Sequence, residues 1–187
     1  MIGKHSNTVL KENIDAVLQY RNTIPMEFIS FWNGGEAWTG HLLIMQKEDI
    51  PIEKVFALFA FRTLCLFEEW DIDDTFPEEQ LRSNYGIAIG YYGDEDIIKQ
   101  TSVDYFMRWS NYPLLIDSSR EHVQSGKSYC QVSVNNHIME ASELNGFDPL
   151  KNYKIRECFL AKDKWNSQHY ILATDNEYIY YEGWTNV

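Results

Sequence analysis

The chain holds 187 residues, of which 44% are hydrophobic, 15% aromatic and 24% charged. That length suits one domain built round a single core, and so many aromatic side chains argue against disorder. With 28 acidic against 16 basic side chains the formal net charge is −12, a balance that repels nucleic acid and anionic membranes and attracts basic partners.

The first residues, MIGKHSNTVLKEN, lack the apolar stretch of a secretory signal. Val9, Leu10, Ile14, Val17 and Leu18 recur at helical spacing, which predicts an amphipathic helix over 8–21. Pro25 suits the first turn of a second, short helix through Trp32, stopped by Asn33-Gly34-Gly35. His41 to Gln46 reads as a strand. Asp49, Pro51 and Glu53 open a helix expected to reach Glu69. Its run VFALFAFRTLCLF is apolar on nearly every face, so it belongs at the centre of the core. That run is too short to span a membrane, and Arg62 interrupts it.

Thr75-Phe-Pro-Glu78 fits a capping box opening a short helix toward Arg82. Gly86 to Tyr92 reads as a strand and 102–109 as a helix. Pro113 to Ile116 and Tyr129 to Val134 read as strands, and Asn136 to Leu144 as a short helix. The last third is aromatic and β-branched, with strands at 153–161, 170–173 and 178–184. Asp175-Asn176 supplies the turn of a closing hairpin. No linker or repeat divides the chain. The expected fold is therefore α+β over 1–187, a single domain with N-terminal helices packed on a largely antiparallel sheet.

The chemical motifs are few. Cys65, Cys130 and Cys158 form no CxxC pair, which points to reduced thiols in a cytoplasmic protein, with Cys65 a small buried hydrophobe. His5, His41, His122, His137 and His169 show no metal-ligand spacing. Asp71, Asp73 and Asp74 resemble the start of a calcium loop, but the required glycine and glutamate positions hold Phe76 and Arg82. There is no GxSxG elbow and no phosphate loop. No metal, cofactor or local catalytic constellation is expected.

Charge is distributed unevenly. Between residues 68 and 99 stand Glu68, Glu69, Asp71, Asp73, Asp74, Glu78, Glu79, Asp94, Glu95 and Asp96, against Arg82 and Lys99 alone. Eight of the twelve excess negative charges thus fall in one short stretch. Trp70, Phe76, Tyr91 and Tyr92 lie among them. Aromatic anchors ringed by charge are the make-up of an interface hot spot. These acids and Trp70 are the candidate partner-binding residues.

The stretch IPMEFISFWNGG over 24–35 follows the first helix and precedes an apolar strand and the pair Glu48-Asp49. It resembles the opening of the SUKH superfamily, many of whose members are bacterial toxin-immunity proteins. The resemblance covers roughly residues 10–50. It implies a non-enzymatic protein that binds a cognate toxin with a basic surface, such as a nuclease, without binding nucleic acid or membrane. The long apolar helix after residue 50 departs from the superfamily's pattern. Two alternatives remain open: a mimic of nucleic-acid charge acting on defence or regulatory proteins, and a small enzyme assembling distant residues such as Glu36, His41, Tyr91 and Tyr92.

Overall fold

The structure is a computed structural model that describes residues 2–21, 23–33, 39–65, 75–91, 96–127, 130–164 and 166–185. The described elements are, in order, α1 (Ser6–Glu12), α2 (Ile14–Tyr20), β1 (Met26–Asn33), β2 (Thr39–Gln46), α3 (Ile52–Cys65), α4 (Glu78–Ala88), β3 (Lys99–Thr101), α5 (Val103–Trp109), α6 (Tyr112–Gln124), β4 (Cys130–Val134), β5 (His137–Ile138), β6 (Glu157–Lys164), β7 (Ser167–Ala173) and β8 (Glu177–Trp184). The strands form one sheet in the order β3-β6-β7-β8-β2-β1-β4-β5, and every pairing is antiparallel. The fold is α+β, with the N-terminal helices packed on the sheet.

Strand alternation sorts the core into two layers. On one face Leu43 and Met45 of β2, Phe159 of β6, Ile171 of β7 and Tyr180 of β8 meet α1 to α4. On the other, Leu42, Ile44, Leu160, Leu172 and Tyr181 meet Phe106 of α5, Leu115 and Ile116 of α6, and Leu144 and Leu150 of the following loops. Helix α3 explains its own composition. It lies between the sheet and α1 and α2, so Val55 through Phe61 are all buried. The Phe59 ring stacks on Tyr180 at 5.5 Å, a favourable offset for aromatic pairs.

Several local expectations are corrected. Residues 26–33 form strand β1, not a helix, so the helical element of the likeness at 24–35 is absent. Pro25 has no N–H to donate and can stand directly before a strand. Ile29 and Phe31 then face one layer of the core while β1 ladders with β2 from Met26↔Met45 to Phe31↔Gly40. The first helix breaks into α1 and α2 at Asn13, whose side-chain amide donates to the Val9 carbonyl at 2.8 Å. Residues 86–91 continue α4 and a 3-10 turn, because Leu81, Tyr85, Ala88 and Ile89 bury one helical stripe. The capping box is not made: Pro77, not Thr75, holds the N-cap position, and α4 has no side-chain cap.

Pro113 stands in the first turn of α6, so 113–116 is helical rather than extended. Where a helix was expected after 136, Asn135 and Asn136 both take positive φ (48° and 67°). That is the two-residue turn that matches strand twist, and it joins β4 to β5. The long helix is described to Cys65, and its expected end at Glu69 lies outside the described residues. Cys65 is only half-buried, whereas Cys130 and Cys158 are buried.

Candidate functional site

Most of the acidic stretch, namely Glu68, Glu69, Trp70, Asp71, Asp73, Asp74, Asp94 and Glu95, lies outside the described residues. Three members are placed. Glu78 and Glu79 stand exposed in the first turn of α4, where carboxylates complement the unpaired backbone N–H groups. Glu78 accepts from Arg82 at 2.7 Å, and the same guanidinium donates to Asp15 at 2.6 Å. Asp96 is 8% exposed, and its backbone carbonyl accepts from the Ser6 N–H at 2.6 Å. Glu78 and Glu79 thus present charge outward, while Asp96 is turned into the fold.

Sequence reading overlooked a row of ionisable side chains that the sheet register creates. Lys162 pairs with His169, His169 with Glu182, and Glu182 with His41, across β6, β7, β8 and β2. The two histidines and Glu182 are at most 3% exposed and Lys162 is 7% exposed. The Glu182 carboxylate stands 3.5 Å from His169 Nε2 and 3.7 Å from His41 Nε2. The Tyr180 hydroxyl lies 2.8 Å from His169 Nδ1, and Ser167 Oγ lies 3.1 Å from its Nε2. From above, Thr63 of α3 reaches His41 Nε2 at 3.3 Å. Burial drives the His41 pKa down to about 3. Burial, aided by the charge of Lys162, holds His169 well below the ordinary imidazole range. Both rings are therefore neutral near pH 7, and the Tyr180 hydroxyl donates to Glu182 Oε2 at 3.3 Å. A buried carboxylate needs such donors, since desolvation without them is costly.

His41 was paired in sequence reasoning with Glu36, Tyr91 and Tyr92. Glu36 and Tyr92 lie outside the described residues, and Tyr91 ends the 3-10 turn. The carboxylate actually beside His41 is Glu182. One signal could have found it: Glu182 is in phase with the buried Tyr178 and Tyr180 along β8.

The same row continues beyond the helices. His41 pairs with Ser30 on β1, Ser30 with Ser133 on β4, and Ser133 with Ile138 on β5. Among the described residues, Met26 and Phe28 are the hydrophobic side chains of β1 that pack into the layer under α1 to α4, and β4 and β5 contribute none. Trp32 is 51% and Ile138 54% exposed there. A cavity of about 680 Å³ opens at the start of β1, between Arg62 and Cys65 of α3, Pro25, Met26 and Phe28, and the Asn135 turn.

Among the described residues no group of His, Cys, Asp or Glu is arranged to hold a metal ion, and no helix is long and apolar enough to cross a membrane. Compared with known proteins, the chain matches no family model, no curated protein and no solved structure.

Proposed function

We propose that this protein neutralises a basic protein partner by occlusion, in the manner of a bacterial immunity protein facing its cognate toxin. The observation that carries the reading is the concentration of acid. Ten carboxylates stand against two bases between residues 68 and 99, and Glu78 and Glu79 hold part of that charge outward on α4. Complementary fields of this kind speed encounter and reject wrong partners. The reading leans on this charge and not on the likeness at 24–35, whose helix is a strand. An occluding protein works by surface complementarity, so it needs no reactive group. The enclosed row round Glu182 fits that role by fixing strand register.

The test is capture of partners from the source cells on the tagged protein, with mass spectrometry. The expected result is one stoichiometric basic protein, released by high salt and lost from a variant carrying Asp71→Lys, Asp73→Lys and Asp74→Lys. Retention of many nucleic-acid-binding proteins would instead show charge mimicry. No salt-sensitive partner at all would defeat the reading.

A further inference from the structure

A second cavity, of about 450 Å³, opens on the face of the sheet that carries α5 and α6, opposite the layer of α4. Its floor is apolar and belongs to the strands: Ile29 stands opposite Val134, and Ile44 opposite Glu27. Its far wall is the loop from Gly146 to Tyr153, which the protein itself holds in place. The Arg120 guanidinium donates to the Phe147 carbonyl at 2.9 Å, and the Phe147 ring lies 6.4 Å from that of Phe31. Asp148 accepts from the Tyr112 hydroxyl and from the Leu150 N–H, and the Leu150 side chain is buried. A preformed apolar hollow with a few polar groups at its rim is the usual build of a small-ligand site.

The lining says what the hollow takes. Glu27 and Asp148 stand in it against Lys151. Asp148 is engaged in holding the loop, whereas the Glu27 carboxylate makes no side-chain hydrogen bond or ion pair among the described residues. Lys151 is exposed and likewise joins no ion pair there. Burial, and then the charges of Glu27 and Glu177, push the Tyr153 pKa up, so the hydroxyl keeps its proton and the field at this wall is negative. The faces of the Phe147 and Tyr153 rings also attract a cation. Carboxylates bond strongly to charged N–H donors, and an alkyl stem matches the apolar floor. An anion would meet two carboxylates. A neutral apolar guest would take water from Glu27 and give it no partner.

We propose that this cavity binds an organic cation, a guanidinium or ammonium group on an alkyl stem. The stem lies on Ile29, Ile44 and Val134, and the head meets the Glu27 carboxylate beside the Tyr153 ring. A free amine and the Lys or Arg side chain of a peptide share this chemistry. The site lies across the sheet from the layer of α4 that carries Glu78 and Glu79, and it stands independently of the neutralising reading.

Titration of the intact protein with n-butylguanidinium, followed by amide NMR shifts, tests it. Saturable shifts are expected at 27–29, 44, 134 and 146–153, and n-butanol and butyrate at the same concentration should leave those signals in place. Glu27→Gln should weaken binding about fivefold, the upper end for a partly exposed ion pair. Tyr153→Leu should weaken it about threefold through the lost ring face, and Lys151→Ala should tighten it. Glu27 and Lys151 are exposed, and unchanged thermal melting would show that these variants keep the fold. N-acetylarginine methylamide separates the two sources: binding at least as tight as that of n-butylguanidinium marks a peptide side chain as the guest, and weaker binding marks a free amine. Equal binding of n-butanol, preference for butyrate, shifts confined to other residues, or no binding would overturn the proposal. So would unchanged affinity in Glu27→Gln.

Discussion

Strands β1 and β4 carry two faces of opposite character. Toward α6, Ile29 and Phe31 of β1 and Val132 of β4 are at most 3% exposed, and Leu115 and Ile116 close over them. Toward α3 the same strands present Ser30, Trp32, Gln131 and Ser133, with Trp32 half open to solvent. Neighbouring residues in one strand thus live in different media. Burial on one side holds the strand in the sheet, which leaves the other side free to carry side chains chosen for something besides folding.

Phe31 and Trp32 break or sharpen that comparison most directly. Phe31→Ala should cost about 3–5 kcal/mol, as for other buried aromatics, read from the urea midpoint. Little structural loss is expected one residue farther on, at Trp32. Gly40 comes next. A side-chain carbon there would lie 2.5 Å from the Glu182 carbonyl oxygen, so Gly40→Ala should cost about 1–3 kcal/mol by overpacking. A chemical-denaturation curve with unchanged slope would register it.

The buried row predicts a pH dependence. His41 and His169 have depressed folded-state values, so the folded protein resists taking protons that the unfolded chain accepts. Stability is full above the ordinary imidazole value of about 6.5 and falls as the pH drops below it, toward about 3 for His41. Each ring contributes a slope of up to about 1.4 kcal/mol per pH unit. His41→Gln should flatten the acid limb of the melting-temperature profile, and an unchanged profile would mean that His41 does not titrate this way. The smallest effect is at the open face: Trp32→Ala should shift stability by about 0.5 kcal/mol or less, the usual range for surface positions. A large loss would show that Trp32 is a core residue after all.

Much of this architecture was legible in sequence where one signal acted alone. Val55 to Phe61 is apolar all round, and only a helix packed on several sides can use that. The alternation through Tyr178, Tyr180 and Glu182 with Asp175-Asn176 before it could only be a hairpin strand. Where two signals competed, propensity lost to tertiary pairing. Phe28, Phe31 and Trp32 fit a helical stripe as well as a strand, and the ladder to β2 and β4 decided for the strand. Gly86 to Tyr92 read as a strand, yet the stripe of Leu81, Tyr85, Ala88 and Ile89 kept the helix. The Glu182 row could not be read locally, because β8 lies between β7 and β2, and residues more than 100 positions apart, such as His41 and Glu182, become neighbours only through that order. The open face was hidden for the same reason: nothing in 26–33 says which of its sides a helix will cover.

The most direct test of the account is the association rate of the captured basic partner with the wild type and with the variant carrying Asp71→Lys, Asp73→Lys and Asp74→Lys, measured at low and at physiological salt. The account predicts that the variant associates roughly tenfold or more slowly at low salt and that the gap narrows as salt screens the charges. Equal rates for the two proteins at low salt would contradict it.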